Sequence, residues 1–294
     1  MSAIGALPEP AAATVATAAP GMHRGRWRAV WPPLAIIVAI ILAGVFAPWI
    51  APHKPDQIFY TAAQLSPRAG YWLGTDDLGR DILSRLIYGT RDSMTIAIGS
   101  VAVGSTGGVL LGLLSGYGGR SVDWVIMRVV DVLLAIPGVV IALVVIAILG
   151  EGLFDLVIAI AVGEIPVFAR LVRGTVLTVR EREFVEASRA VGARTWTILL
   201  RHILPNVLGP IVVLGTLDMG VAILIAAGLT FIGLGPPPPA PEWGAMLNEA
   251  QNFIPQDWWM AVFPGLAITV TVLSLNLLGD ALRDVLDPTG RGRS

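Results

Sequence analysis

Six stretches of this chain are too long and too apolar to be packed inside a water-soluble domain: roughly 31–50, 93–116, 122–149, 153–172, 206–231 and 259–281. About 20 consecutive apolar residues cross the hydrocarbon of a bilayer as one helix. None of the six alternates polar with apolar residues as the strands of a membrane barrel do, so each is read as a helix. Composition agrees: 55% of the residues are hydrophobic and 14% are charged, against about 25% charged in soluble domains. The expected fold is all-α and polytopic, with six transmembrane helices.

Several chemistries are excluded at once. With no cysteine, disulfides, thiolate metal sites and cysteine nucleophiles are ruled out. His23, His53 and His202 stand far apart, so no metal site is expected. Lys54 is the one lysine, in PHKPD, which is unlike the glycine-rich, lysine-ended loop that cradles nucleotide phosphates. A net charge of −1 gives no pull toward nucleic acid. The chain is expected not to be an enzyme.

Basic residues near the span ends orient a membrane protein. With the N-terminus inside, 15 of the 20 basic residues lie on the cytoplasmic side, and the other five all fall within 51–92. The loop 232–258 has no Arg or Lys. Both termini are therefore expected in the cytoplasm. The first apolar run has the look of a signal peptide, but the charge count holds only if it stays as an uncleaved anchor. The layout is a cytoplasmic tail (1–30, its first 20 residues expected to be disordered), a first helix (31–50), an extracytoplasmic loop (51–92), a transmembrane domain (93–282) and a cytoplasmic tail (283–294).

The loop 173–205 is long, charged and helical in its spacing. Glu186 can pair with Arg182 and Arg189 at helical separations, each pair contributing about 0.2–0.5 kcal/mol. Phe184, Ala187 and Val191 form a narrow apolar stripe. Gly192 permits a turn, Thr195 to Ile203 can form a second helix, and Pro205 can open the next span. A solvated hairpin and a docking element for a cytoplasmic partner both fit this pattern.

Elsewhere, 80–88 (RDILSRLIY) reads as an interfacial helix before the second span, with Asp81 and Arg85 paired at i,i+4; it serves as an elbow or as part of a gate. Gly104, Gly108, Gly112 and Gly116 share one helical face, where a neighbouring helix can approach closely. Arg128 and Asp131 can pair, and Pro137 can kink the third span. Glu164 and Asp218 fall well inside their spans, where an acid costs about 2.5–3.5 kcal/mol and should face a partner or a wet cavity. Beyond the prolines of GLGPPPPAPEWGAMLNEA, Glu242 to Ala250 can form a short outward-facing helix with Trp243 and Leu247 on one side.

Glu186-Ala187-Ser188, then Gly192, then Leu204-Pro205 resembles the EAA loop of ABC importer permeases, with Ser188 in place of the second Ala and His202 where Ile is usual. LGTDDLGRDILSRLIYGTRDS (73–93), GYGGRSVDWVIMRVVDVLLAIP (116–137), PEWGAMLNEA (241–250) and FPGLAITVTVLSLNLLGDALRDVLDP (263–288) are similar to the dipeptide/oligopeptide/nickel importer permeases, in particular the shorter-looped of the two. The resemblance covers about 40–288. It implies a five-helix type I importer core within 93–282, and Phe184, Glu186, Ala187, Ser188, Gly192, Leu204 and Pro205 as the ATPase-coupling residues. It also implies a place in a bacterial inner membrane, a heterodimer with a second permease, two ATPase subunits that bind ATP and Mg, and an extracytoplasmic solute-binding protein. No cofactor is expected on this chain. Asp131, Glu164 and Asp218 are candidate pore or substrate residues. The expected cargo is a short peptide, with glutathione or a nickel chelate as alternatives. A secondary transporter using Glu164 and Asp218 as proton or cation sites is the rival reading.

Overall fold

The computed structural model describes residues 22–286. The expected tails fall largely outside that range: 1–21 and 287–294 are not described. Among the described residues every long element is a helix.

The chain opens with α1 (Met22–Val45) and a one-turn α2 (Ala47–Ile50). The first helix thus ends at Val45 rather than near 50. Arg91 holds that end, its Nε and a terminal nitrogen donating to the carbonyls of Gly44 (2.6 Å) and Val45 (2.9 Å). Next comes α3 (Ile82–Tyr117), 36 residues long and about 54 Å at 1.5 Å per residue, well beyond a hydrocarbon core of about 30 Å.

The separate interfacial helix expected at 80–88 is instead the opening of α3. No proline interrupts 82–117, and Asp81 caps the start by accepting from the Ser84 amide at 3.0 Å, a contact of about 1 kcal/mol. Gly89 does not break the helix. It lets the 241 backbone approach: a Cβ there would lie 1.9 Å from the Pro241 carbonyl oxygen.

The third apolar stretch breaks into α4 (Arg120–Leu134) and α5 (Gly138–Leu149), which meet at 93°. Pro137, at the head of α5, has no N–H to continue α4, so the expected kink is a full break. Then follow α6 (Leu153–Val179), the short α7 (Glu183–Ala190) and α8 (Thr195–Ile198), and α9 (Leu204–Phe231). The second helix expected over 195–203 is not a closed element. After α8 a single π-type turn (Leu199–Ile203) carries the chain directly into α9, so that Thr195–Phe231 is one apolar rod. Finally α10 (Trp243–Ala250) precedes α11 (Trp259–Leu286).

By length and apolarity four helices among the described residues can cross a membrane, and the bent α4–α5 pair makes a fifth. The sixth expected span is α6. It has 27 residues but carries Asp155, Glu164, Arg170 and Arg173, so that every 18-residue stretch of it holds three charged side chains.

α3 and α6 pack along most of their length, and the register explains why. Gly104, Gly108, Gly112 and Gly116 face Glu164, Phe168, Val172 and Val176. A Cβ on these four glycines would lie 2.9, 2.3, 2.6 and 2.8 Å from the Cβ of the opposing residue. Each glycine therefore lets one side chain of α6 seat against the α3 backbone. The core has three parts. One joins α1, α3, α10 and α11 through Ile37, Ile82, Trp243, Trp259 and Leu275. A second joins α3, α5, α6 and α9 through Ile96, Ile146, Ile160 and Leu229. The third sits under α7 and α8. Large apolar side chains such as Leu42, Leu110, Ile148 and Leu273 remain exposed, as a surface solvated by lipid requires.

Candidate functional site

At one end of the bundle the hairpin α7–α8 projects. Val185 is 0% exposed and packs with Val172, Val176, Val179, Ile198, Ile203 and Val207, so one face of α7 is fixed to the body. Phe184, Ala187 and Val191 lie on the exposed side, Phe184 at 40% and Val191 at 84%. Trp196, on α8, is also exposed, at 70%. Gly192 makes the reversal at φ +78°, a left-handed geometry open to glycine with little strain. Leu204 and Pro205 begin α9, with Pro205 in its first turn, where the ladder changes from the π-type to the α pattern.

The local ion pairs expected on α7 do not form. Glu186 makes no ion pair among the described residues. Arg189 lies over the Tyr117 ring at 5.5 Å. Exposed pairs gain little against side-chain entropy, and a ring within reach on α3 competes for the same guanidinium. Ser188 donates to the Phe184 carbonyl at 2.8 Å and stands 3.3 Å from His202 Nε2. The two residues that depart from the EAA pattern thus touch each other.

The middle of the bundle holds a cavity of about 330 Å³ at the α4–α5 break. Its walls are mostly apolar, with Leu133, Pro137 and Val167 among them, and Glu164 and Asp218 both line it. The fold thus brings together two acids that the sequence places on different helices. Asp131 is not with them. It faces Arg170 on α6 at 2.5 Å, while Arg128 lies over the Trp124 ring at 5.7 Å; the Arg128–Asp131 pair expected within one helix is replaced by a bond between two. Asp123 likewise accepts from two guanidinium nitrogens of Arg173, Nε at 2.5 Å and a terminal nitrogen at 2.6 Å. α4 is thereby tied to α6 at two points.

The opposite end is closed by a buried charge network that the sequence did not disclose. Asp76 accepts from Arg80 at 2.5 Å and from Arg85 at 2.8 Å. Glu249, at the end of α10, accepts from Arg80 at 2.8 Å and lies 2.9 Å from an Arg85 nitrogen. Arg85 is fully buried. The expected Asp81–Arg85 pair is absent because the Asp81 carboxylate caps α3, leaving Arg85 to carboxylates from distant segments. In the same region Asp257 is buried, and burial raises its pKa above the usual aspartate value. α10 is wedged rather than free: Trp243 is buried and its indole donates to the Leu86 carbonyl at 3.1 Å.

The fold belongs to a class with solved members. Two structures of the MetNI methionine ABC transporter in inward-facing conformations match with TM-scores of 0.57, at 20% and 21% identity, each over 69% of this chain and 97% of that one. The sequence goes further. The model of the family described as the binding-protein-dependent transport system inner membrane component matches residues 108–291, and that of the N-terminal transmembrane domain of oligopeptide transport permease C matches 34–67. The chain belongs to the binding-protein-dependent inner-membrane component family, the permeases of ABC importers. It is 45% identical to the glutathione transport system permease protein GsiD of Pectobacterium atrosepticum, over 90% of this chain and 92% of that protein. It is 44% identical to the probable D,D-dipeptide transport system permease protein DdpC of Escherichia coli (88% and 87%) and to the di/tripeptide transport system permease protein DppC of Pseudomonas aeruginosa (87% and 86%). Family membership sets the secondary-transporter rival aside.

Proposed function

We propose that this chain is the permease subunit of an ATP-driven importer of short peptides and supplies half of the translocation path. The observation that carries the coupling role is the two-sided α7. Val185 fastens it to the bundle while Phe184, Ala187 and Val191 stay exposed, an arrangement suited to transmitting a push from a docked partner. The partners are two ATPase subunits, which bind ATP and Mg and hydrolyse the nucleotide, a second permease subunit, and a solute-binding protein on the far side. This chain itself catalyses no reaction. Peptide cargo is favoured because relatives at 44–45% identity are named for glutathione, D,D-dipeptides and di/tripeptides.

Both termini lie in the cytoplasm on this reading, with six spans if α6 counts as one. Movement of the ATPases then rocks α6 and α9, which flank the hairpin in the chain, and the path opens alternately to either side. Glu186→Lys, beside Arg182 and Arg189, reverses a charge on the docking face. The expected result is loss of ATPase subunits on co-purification and loss of peptide uptake. Retention of both overturns the docking role.

A further inference from the structure

We infer that the cavity at the α4–α5 break is a cation subsite, in which Glu164 and Asp218 receive an ammonium group of the passing solute. This deepens the peptide-importer reading and rests on it.

Glu164 is only 7% exposed, yet neither of its carboxylate oxygens has a hydrogen-bond partner in the protein; one oxygen of Asp218 is in the same position. Both residues line the one cavity. Glu164 cannot relieve this by retreating, because it is seated against α3. A Cβ at Gly104 would lie 2.9 Å from the Glu164 Cβ and 3.1 Å from its Oε2, so backbone closes that side. Of the residues around the cavity, these two alone are ionisable. Two unpaired carboxylates at this depth are costly, and each raises the cost of the other. A cation placed between them offsets both.

The lining selects the kind of cation. A hard metal ion needs six or more oxygen ligands, its own waters included, and walls of Leu133, Ile136, Val167, Val221 and their like offer nothing to hold those waters. An organic ammonium with an apolar body suits such a mixed lining. The N-terminal ammonium is common to every peptide; the group assigned to this subsite is the side-chain ammonium of a lysyl peptide, carried at the end of an apolar stem.

The test uses the assembled importer with its own binding protein, and the isosteric variants Glu164→Gln and Asp218→Asn on two different helices. Initial uptake of lysyl-alanine and of glutamyl-alanine is measured for each. The wild type is expected to favour lysyl-alanine. Each variant should lower the lysyl-to-glutamyl ratio roughly tenfold to a hundredfold, the scale of one charge-assisted contact, while the complex still assembles. An unchanged ratio in both variants, or an equal fall for both peptides, overturns the subsite. Loss of the second permease from both variants would mean that the acids pair with a basic group of that subunit, which also overturns it. Uptake of neither peptide by the wild type overturns the peptide reading itself, and the subsite with it.

Discussion

Arg85, in the first turn of α3, and Glu249, at the end of α10, stand 2.9 Å apart with the arginine wholly buried. Together with Arg80, Asp76 and the more exposed Asp77 they set two cations against three anions. Such a cluster is fragile in one specific way: removing one member strands a buried charge, at a cost of about 3–5 kcal/mol. Glu249→Gln is therefore expected to lower the thermal stability of the detergent-solubilised complex sharply. Asp131→Asn breaks a bond to Arg170 in which both side chains are more than half exposed, and it should shift stability by less than about 1 kcal/mol. Comparing the two melting temperatures checks the assignment.

That contrast also shows where sequence reading succeeds. Signals carried by one element were legible: the long apolar runs, the glycine stripe of α3, the Gly192 turn and the hairpin's exposed stripe. Every misplaced ion pair came from assuming that a charge finds its partner on its own helix. Arg85, Arg128 and Glu186 all have local opposite charges at helical spacing, yet Arg85 is buried against carboxylates from elsewhere, Arg128 meets a ring, and Glu186 pairs with nothing described. A local pair gains only a few tenths of a kcal/mol, so tertiary contacts decide. The meeting of Glu164 with Asp218 was hidden for the same reason, since it depends on how α6 and α9 cross. The Pro137 break was half legible: proline announced a kink, and only the fold gave its angle.

The glycine seam makes its own prediction. At Gly108 an added Cβ would come within 2.3 Å of the Phe168 Cβ and 2.8 Å of the Ile165 carbonyl oxygen. Backbone and the base of a side chain cannot move aside cheaply, so Gly108→Ala should cost about 1–3 kcal/mol by overpacking. Gly174, on α6, has nothing within 4 Å of its added Cβ. There Gly174→Ala should be neutral or gain up to about 1 kcal/mol from helix propensity. Denaturation midpoints of the two variants should move in opposite directions or differ clearly in size.

The two sides of α7 can be separated in one experiment. Val185 is buried, while Phe184, its neighbour about 100° round the helix, is exposed. If α7 is fixed on one side and docks on the other, truncating each residue must damage a different property. Val185→Ala removes packing beneath the hairpin and should destabilise the isolated subunit by about 1–3 kcal/mol. Phe184→Ala should leave the isolated subunit within about 0.5 kcal/mol of wild type, yet weaken binding of the ATPase subunits severalfold or more, because exposed aromatics dominate interface energies. The measurements are a melting curve of the purified chain and a titration with its ATPase partner. Equal effects of both variants on both readouts would mean that α7 is a structural hairpin with no docking face.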